Sequence, residues 1–216
     1  MTDPAASSHA APCATAPLPM LSAALPQARL WGGLSAQDGL VAKNFSILHA
    51  AEGFAVQDVA TAGQLRRLGW RGPIALLPGV ADARALELCS RLGLWPAVAC
   101  DAHIDWLAAH KSQQPLQVLL GAGAQGFAPA RLRSAHARLS ALPQVDGVIL
   151  WAQAPDTATA AALAGQLDAS SADWPGQRSL VVTLALDMAA TLLPQLQALA
   201  AQAERQGWDL EVVCTV

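Results

Sequence analysis

Eight short apolar runs, each followed by a stretch with helical spacing, constrain this chain more than any other feature. The runs are ARLWGGL (28–34), GFAVQD (53–58), PIALLPG (73–79), WPAVAC (95–100), LQVLLGAG (116–123), DGVILWAQ (146–153), SLVVTLAL (179–186) and DLEVVCT (209–215). Strands covered on both faces read as near-continuous apolar runs, which is the habit of parallel sheets. Between them, segments such as DARALELCSRLGL and APARLRSAHARLSAL carry apolar residues at i, i+3 and i+4. Asp82, Asp101 and Thr157 stand where helix N-caps should be, and Gly69, Gly93 and Gly207 where helices should stop. Eight such units predict a (β/α)8 barrel or a doubly wound sheet. Their even spacing favours the barrel, and WGGLSAQDG after the first run is not a dinucleotide-binding GxGxxG. The last run reaches the C-terminus, so the expected architecture is an α/β TIM barrel with its eighth helix missing. The seam left by that helix would need cover from the N-terminal tail or another subunit.

Composition narrows the classes. The chain has 216 residues, 53% of them hydrophobic and 13% charged, yet no uncharged apolar run approaches a membrane span. The net charge is −3 and the basic residues are scattered along the sequence, which argues against a nucleic-acid surface. Cys13, Cys89, Cys100 and Cys214 form no CxxC and read as reduced thiols. The opening MTDPAASSHAAPCATAPLPMLSAAL lacks a basic segment followed by an apolar core, so no secretion signal is expected and the location is cytoplasmic. Residues 1–25 are expected to be a disordered or loosely attached tail, and 26–216 the barrel.

Particular motifs point to a family. ARLWGG and the long stretch GFAVQDVATAGQLRRLGWRGPIALLPGVADARALELCSRLGLWPAVACDAHIDWLAA resemble the first half of an alanine racemase barrel. PLQVLLGAGAQGFAPARL is similar to that family's fifth strand and loop, and WPGQRSLVVTLAL to its P-G-x-R-S-L-A-N-S-A segment. The resemblance covers roughly 26–186. It implies a barrel of the alanine racemase N-terminal type that holds pyridoxal phosphate (PLP) by a Schiff base after the first strand.

The family's pattern at that point is V-V-K-A-N-A-Y-G-H-G, and this chain offers two registers. In one, Lys43 of LVAKNFS is the PLP lysine. Only nine residues would then separate it from the second strand at Gly53, where a parallel crossover needs about a dozen or more. In the other register the lysine position is Ser35, and 38–51 form the crossover helix with Leu40, Val41, Phe45 and Leu48 on one side. Spacing favours Ser35. Lys111, the remaining lysine, closes the helix DAHIDWLAAHK as a dipole partner.

Other family positions are also altered. The phosphate-side tyrosine corresponds to Gly39, and the chain contains no Tyr. In the fifth-strand loop the lysine, threonine, methionine and arginine positions are Gln117, Leu120, Ala122 and Ala124, and a histidine position falls near Leu150. Thr183 is left as a replacement for the phosphate-site serine. Ser35, Gly39 and Thr183 are therefore vestigial cofactor positions, with no catalytic residue and no cofactor expected.

The expectation is a pseudoenzyme that acts, if at all, as a binding or regulatory partner. The family's head-to-tail dimers suggest a homodimer or a racemase-like partner. The alternative is a PLP-binding protein using Lys43, either a weak amino-acid racemase or a PLP homeostasis protein. A third reading is a small-molecule binder whose strand-end carboxylates Asp58, Asp101 and Asp187 converge, although each also suits a helix cap. The glycines of GAG (121–123) suit a tight turn or an anion-binding approach. His103 and His110 lie seven apart on one helix, but no metal-ligand spacing recurs, so no metal is expected. Trp151 is a candidate plug for the place of the cofactor ring.

Overall fold

All eight apolar runs become strands, because each is flanked by helices that cover its outer face while its inner face fills a lumen. The structure is a computed structural model and describes residues 17–35, 40–111, 114–171 and 173–216. The strands are β1 (Ala28–Leu34), β2 (Gly53–Val56), β3 (Ile74–Leu76), β4 (Trp95–Val98), β5 (Leu116–Ala122), β6 (Val145–Ala154), β7 (Arg178–Ala185) and β8 (Asp209–Thr215). They pair in sequence order, every pair parallel, and β8 closes on β1 to form a barrel. Closure removes the free sheet edges that a parallel array would otherwise expose.

Seven crossover helices surround the barrel: α2 (Val41–Leu48), α3 (Val59–Arg67), α4 (Ala83–Leu92), α5 (Asp101–Ala109), α6 (Pro129–Ser140), α7 (Thr157–Ser171) and α8 (Ala189–Arg205). Helix α1 (Pro17–Ala24) precedes β1, and no helix follows β8 among the described residues. The expected loose tail over 1–25 is thus corrected from residue 17 onward, and the residues before it lie outside the described set. Leu18, Leu21 and Leu25 are buried, and α1 packs on β1 and α8, so the seam beside β8 and β1 is covered by the chain's own N-terminal helix. The apolar spacing i, i+3, i+7 supplies the driving force.

Local signals act mostly as their chemistry predicts. Asp58 caps α3 through the Thr61 N–H at 2.7 Å, and Asp82 caps α4 through the Ala85 N–H at 2.7 Å. Gly93 ends α4 with φ 59°, a left-handed conformation that suits glycine. Two expected caps are corrected. Asp156, not Thr157, takes the Thr159 N–H at the start of α7, while the Thr157 hydroxyl donates to Gln195. Asp101 is the first residue of α5 and turns its carboxylate outward to Arg131 and Arg138 instead of capping.

Candidate functional site at the barrel mouth

Strand register stacks the lumen in levels. Arg29 pairs with Glu211, Trp31 with Val213, and Gly33 with Thr215, running from the bottom of the barrel to its mouth. The middle is dry and aromatic. Trp31 meets Trp95 at 5.9 Å and Trp151 at 5.6 Å, both edge to face, within a core completed by Ala55, Leu119, Ile149 and Val181. Trp151 is buried in this stack, one level below Gln153. Its indole N–H has no partner among the described residues.

Below the tryptophans lies the most buried charge of the lumen. Glu211 is 1% exposed and accepts from Trp31 Nε1 at 2.6 Å, Ser179 Oγ at 2.9 Å and Gln177 Nε2 at 3.3 Å. The Arg29 guanidinium stands 3.0 Å from the same carboxylate. Burial pushes the Glu211 carboxyl up to about 7, while Arg29, Trp31 and Ser179 offset part of that rise. This network closes the floor of the barrel and lies at the end opposite the one where barrels of this kind carry their sites.

The mouth holds a cavity of about 280 Å³, near the lower end of small-molecule sites. Its polar lining comes from Ser35, Gln57, Gln153, Thr183 and Thr215, and its apolar floor includes Ala55 and Val213 of the lumen core. Gln153 Nε2 donates to Thr183 Oγ1 at 3.5 Å, and Thr215 Oγ1 donates to the Leu184 carbonyl at 3.3 Å. Among the described residues, no Lys, Arg, His, Asp or Glu lines this cavity. The described part of this surface offers hydrogen bonds to a neutral or phosphorylated ligand.

Of the residues expected at the site, Ser35 and Thr183 are brought together in this cavity, and Gly39 lies outside the described residues. Lys43 sits in the first turn of α2 with its side chain exposed, and Lys111 is exposed beyond the end of α5. The expected helical face of α2 is correct for Val41 and Leu48, but Leu40 is half exposed and Asn44 is buried in its place. Asp58, Asp101 and Asp187 do not converge. The first caps α3, the second faces α6, and the third lies by an outer groove beside Leu21. The glycines after β5 make a turn closed by Phe127 N–H to Gly121 O at 2.9 Å, with Gly126 packed so tightly on Gly121 that no Cβ fits. His103 accepts the Ala99 N–H at 3.2 Å, and His110 stacks on Trp106 at 4.9 Å. Burial lowers the His103 pKa, favouring the neutral ring. Gln57 and Thr215 join the lining without having been marked by any motif. Each continues the two-residue alternation one step past an inward residue, Ala55 and Val213, and that signal was available.

A PLP site of the implied kind needs a lysine held at the cofactor. The hydroxyls of Ser35, Thr183 and Thr215 suit a phosphate, yet both lysines of the chain are exposed on the outer helical layer. The residues present therefore do not fit covalent attachment.

A closed parallel (β/α)8 barrel with a cavity at the strand C-termini defines the class, a TIM barrel. Residues 36–172 match the N-terminal domain of alanine racemase. The chain belongs to that family. It is 49% identical over 172 residues to the alanine racemase of Acidovorax sp. (strain JS42), covering 76% of this chain and 47% of that protein. It is 50% identical over 165 residues to that of Verminephrobacter eiseniae (strain EF01-2), covering 72% and 44%. The chain thus spans about half the length of the curated relatives it matches. Among solved structures, biosynthetic alanine racemase from Pseudomonas aeruginosa superposes with a TM-score of 0.69 at 23% identity, over 92% of this chain and 55% of that one. Lysine decarboxylase from Selenomonas ruminantium gives 0.65 at 16% identity, over 92% and 58%. These two likenesses are of fold.

Proposed function

We propose that this chain keeps the racemase barrel without PLP-dependent racemisation and serves as a binding module in the cytoplasm. The observation that carries the reading is the mouth itself: its ligand-facing groups are hydroxyls and amides, and the lysine needed to hold PLP has Ser35 in its place. Several further points support it. The fifth-strand positions Gln117, Leu120, Ala122 and Ala124 carry no charge to recognise a carboxylate. Trp31 and Trp151 fill the lumen directly below the cavity. Racemase barrels associate in pairs according to the family resemblance, so a second copy or a racemase-like protein is the natural partner class.

The test is an alanine racemisation assay on the purified chain with excess PLP, run beside its Lys43→Ala variant. The expected result is no turnover above PLP alone for either protein. Turnover that disappears in Lys43→Ala would overturn the reading and make the chain a weak PLP enzyme.

A further inference from the structure

Some of the arginines that look scattered in the sequence share one region, α3, α4 and the loop after α3. Arg29, Arg131, Arg133, Arg138 and Arg178 each face a carboxylate within 4.0 Å. Arg67, Arg71, Arg84, Arg91 and Arg205 are all exposed, and none has a carboxylate that close among the described residues; Arg205 stands apart at the end of α8, leaving four. These four belong to α3, α4 and the loop between α3 and β3. Arg66 stands among them but is spent on the fold, donating to the carbonyls of Trp70, Gly72, Leu92 and Gly93. Burial, and next the positive charge of Arg71, lower its pKa.

Between α3 and α4 runs a groove of about 520 Å³ flanked by Arg67 and Arg91. Its wall is apolar, from Val59, Ala60, Leu88 and Leu92. Arg84, Leu88 and Arg91 fall at i, i+4 and i+7, one stripe of α4, of which Leu88 and Arg91 line the groove. Gly63 keeps the α3 side open, since a Cβ there would meet only Arg67 Nη1, at 3.7 Å. Among the described residues, the acids of these two helices and their caps make no ion pair within 4.0 Å of the stripe. Asp58 and Asp82 are engaged as caps, leaving Glu87 alone on α4.

We propose that this α3–α4 groove is a docking site for an acidic amphipathic helix of a protein partner. Charge complementarity sets the sign of the partner, and the apolar wall sets its amphipathic character. A nucleic acid fits less well, because aliphatic side chains line the groove and no aromatic ring does. The site lies on the outer helical layer, away from the mouth. The proposal extends the reading of the chain as a binding module, and its failure would leave the replacement of the PLP lysine untouched.

The test uses the whole chain and a fluorescein-labelled synthetic helix with leucines on one face and glutamates on the other, followed by anisotropy. Expected is saturable binding that weakens as salt rises, with at least a tenfold loss in Arg67→Glu/Arg91→Glu. Gly63→Leu, which fills the groove and keeps every charge, is expected to lose binding similarly. Circular dichroism establishes that both variants are folded. The proposal is overturned by equal binding of a lysine-for-glutamate peptide, or by binding that survives both variants. Tighter capture of a single-stranded oligonucleotide would also overturn it. So would a dimer of the chain that Arg67→Glu/Arg91→Glu dissolves, since the occupant would then be a second copy.

Discussion

Ser35 is the residue on which the proposed loss of chemistry turns. It lines the mouth at the end of β1, within one cavity with Thr183 and Thr215. A lysine there would have the reach and the partly desolvated setting that a Schiff base requires. Ser35→Lys is therefore expected to gain a stoichiometric, borohydride-reducible PLP adduct at residue 35. Peptide mass spectrometry checks it, and an adduct found elsewhere would refute the register. A second residue-scale prediction concerns Glu211. Its folded pKa of about 7 lies above the ordinary 4.5, so the folded state binds more protons between those values. Stability is then fully present below the ordinary pKa and is lost as pH rises through 7, by up to about 3 kcal/mol. Urea unfolding at pH 5 and pH 8 should show that fall, and Glu211→Gln should flatten it. The sequence offered a hint, since Glu211 is flanked by Leu210 and Val212 in the apolar run of β8, whereas Asp209 only opens it. What it could not reveal was that Arg29, Trp31 and Ser179, on two other strands, would converge on it.

At the scale of elements, α1 is the piece that composition hides. PLPMLSAAL sits in an Ala-, Pro- and Ser-rich segment that reads as a tail, yet proline is well tolerated in a first helical turn and the leucines recur on one face. Leu18→Ala is expected to destabilise the barrel by about 2–5 kcal/mol, because a fully buried leucine at the seam leaves a cavity. Chemical denaturation measures it, and a change well under 1 kcal/mol would mean that α1 merely rests on the barrel. Asp58→Ala should cost about 1 kcal/mol through the lost α3 cap and leave the mouth cavity intact. The strands were far easier to read. β1 and β8 have the bounds that their apolar runs predict, whereas β2, β3 and β4 end earlier. Their polar or turn-forming tails, such as Gln57-Asp58 and Pro78-Gly79, leave the ladder to build the mouth and cap helices.

For the whole molecule, the barrel was legible because its signal is repeated eight times, and a misplaced boundary does not change closure. The family was legible for a similar reason, through long matching stretches in the outer helices and turns. What the sequence offered of the candidate site was Ser35 and Thr183, which the structure brings into one cavity, and two lysines that prove exposed, Lys43 on α2 and Lys111 beyond α5. The arginine groove was not legible, because Arg67 and Arg91 meet only when β3 and its crossovers bring α3 against α4. The central claim is that the scaffold of a PLP enzyme survives here without the means to hold PLP. Trapping tests it most directly: the unmodified chain is incubated with excess PLP, reduced with borohydride, and mapped by peptide mass spectrometry. The account predicts only trace, unselective labelling of exposed amines. A stoichiometric pyridoxyl group on Lys43 would contradict it.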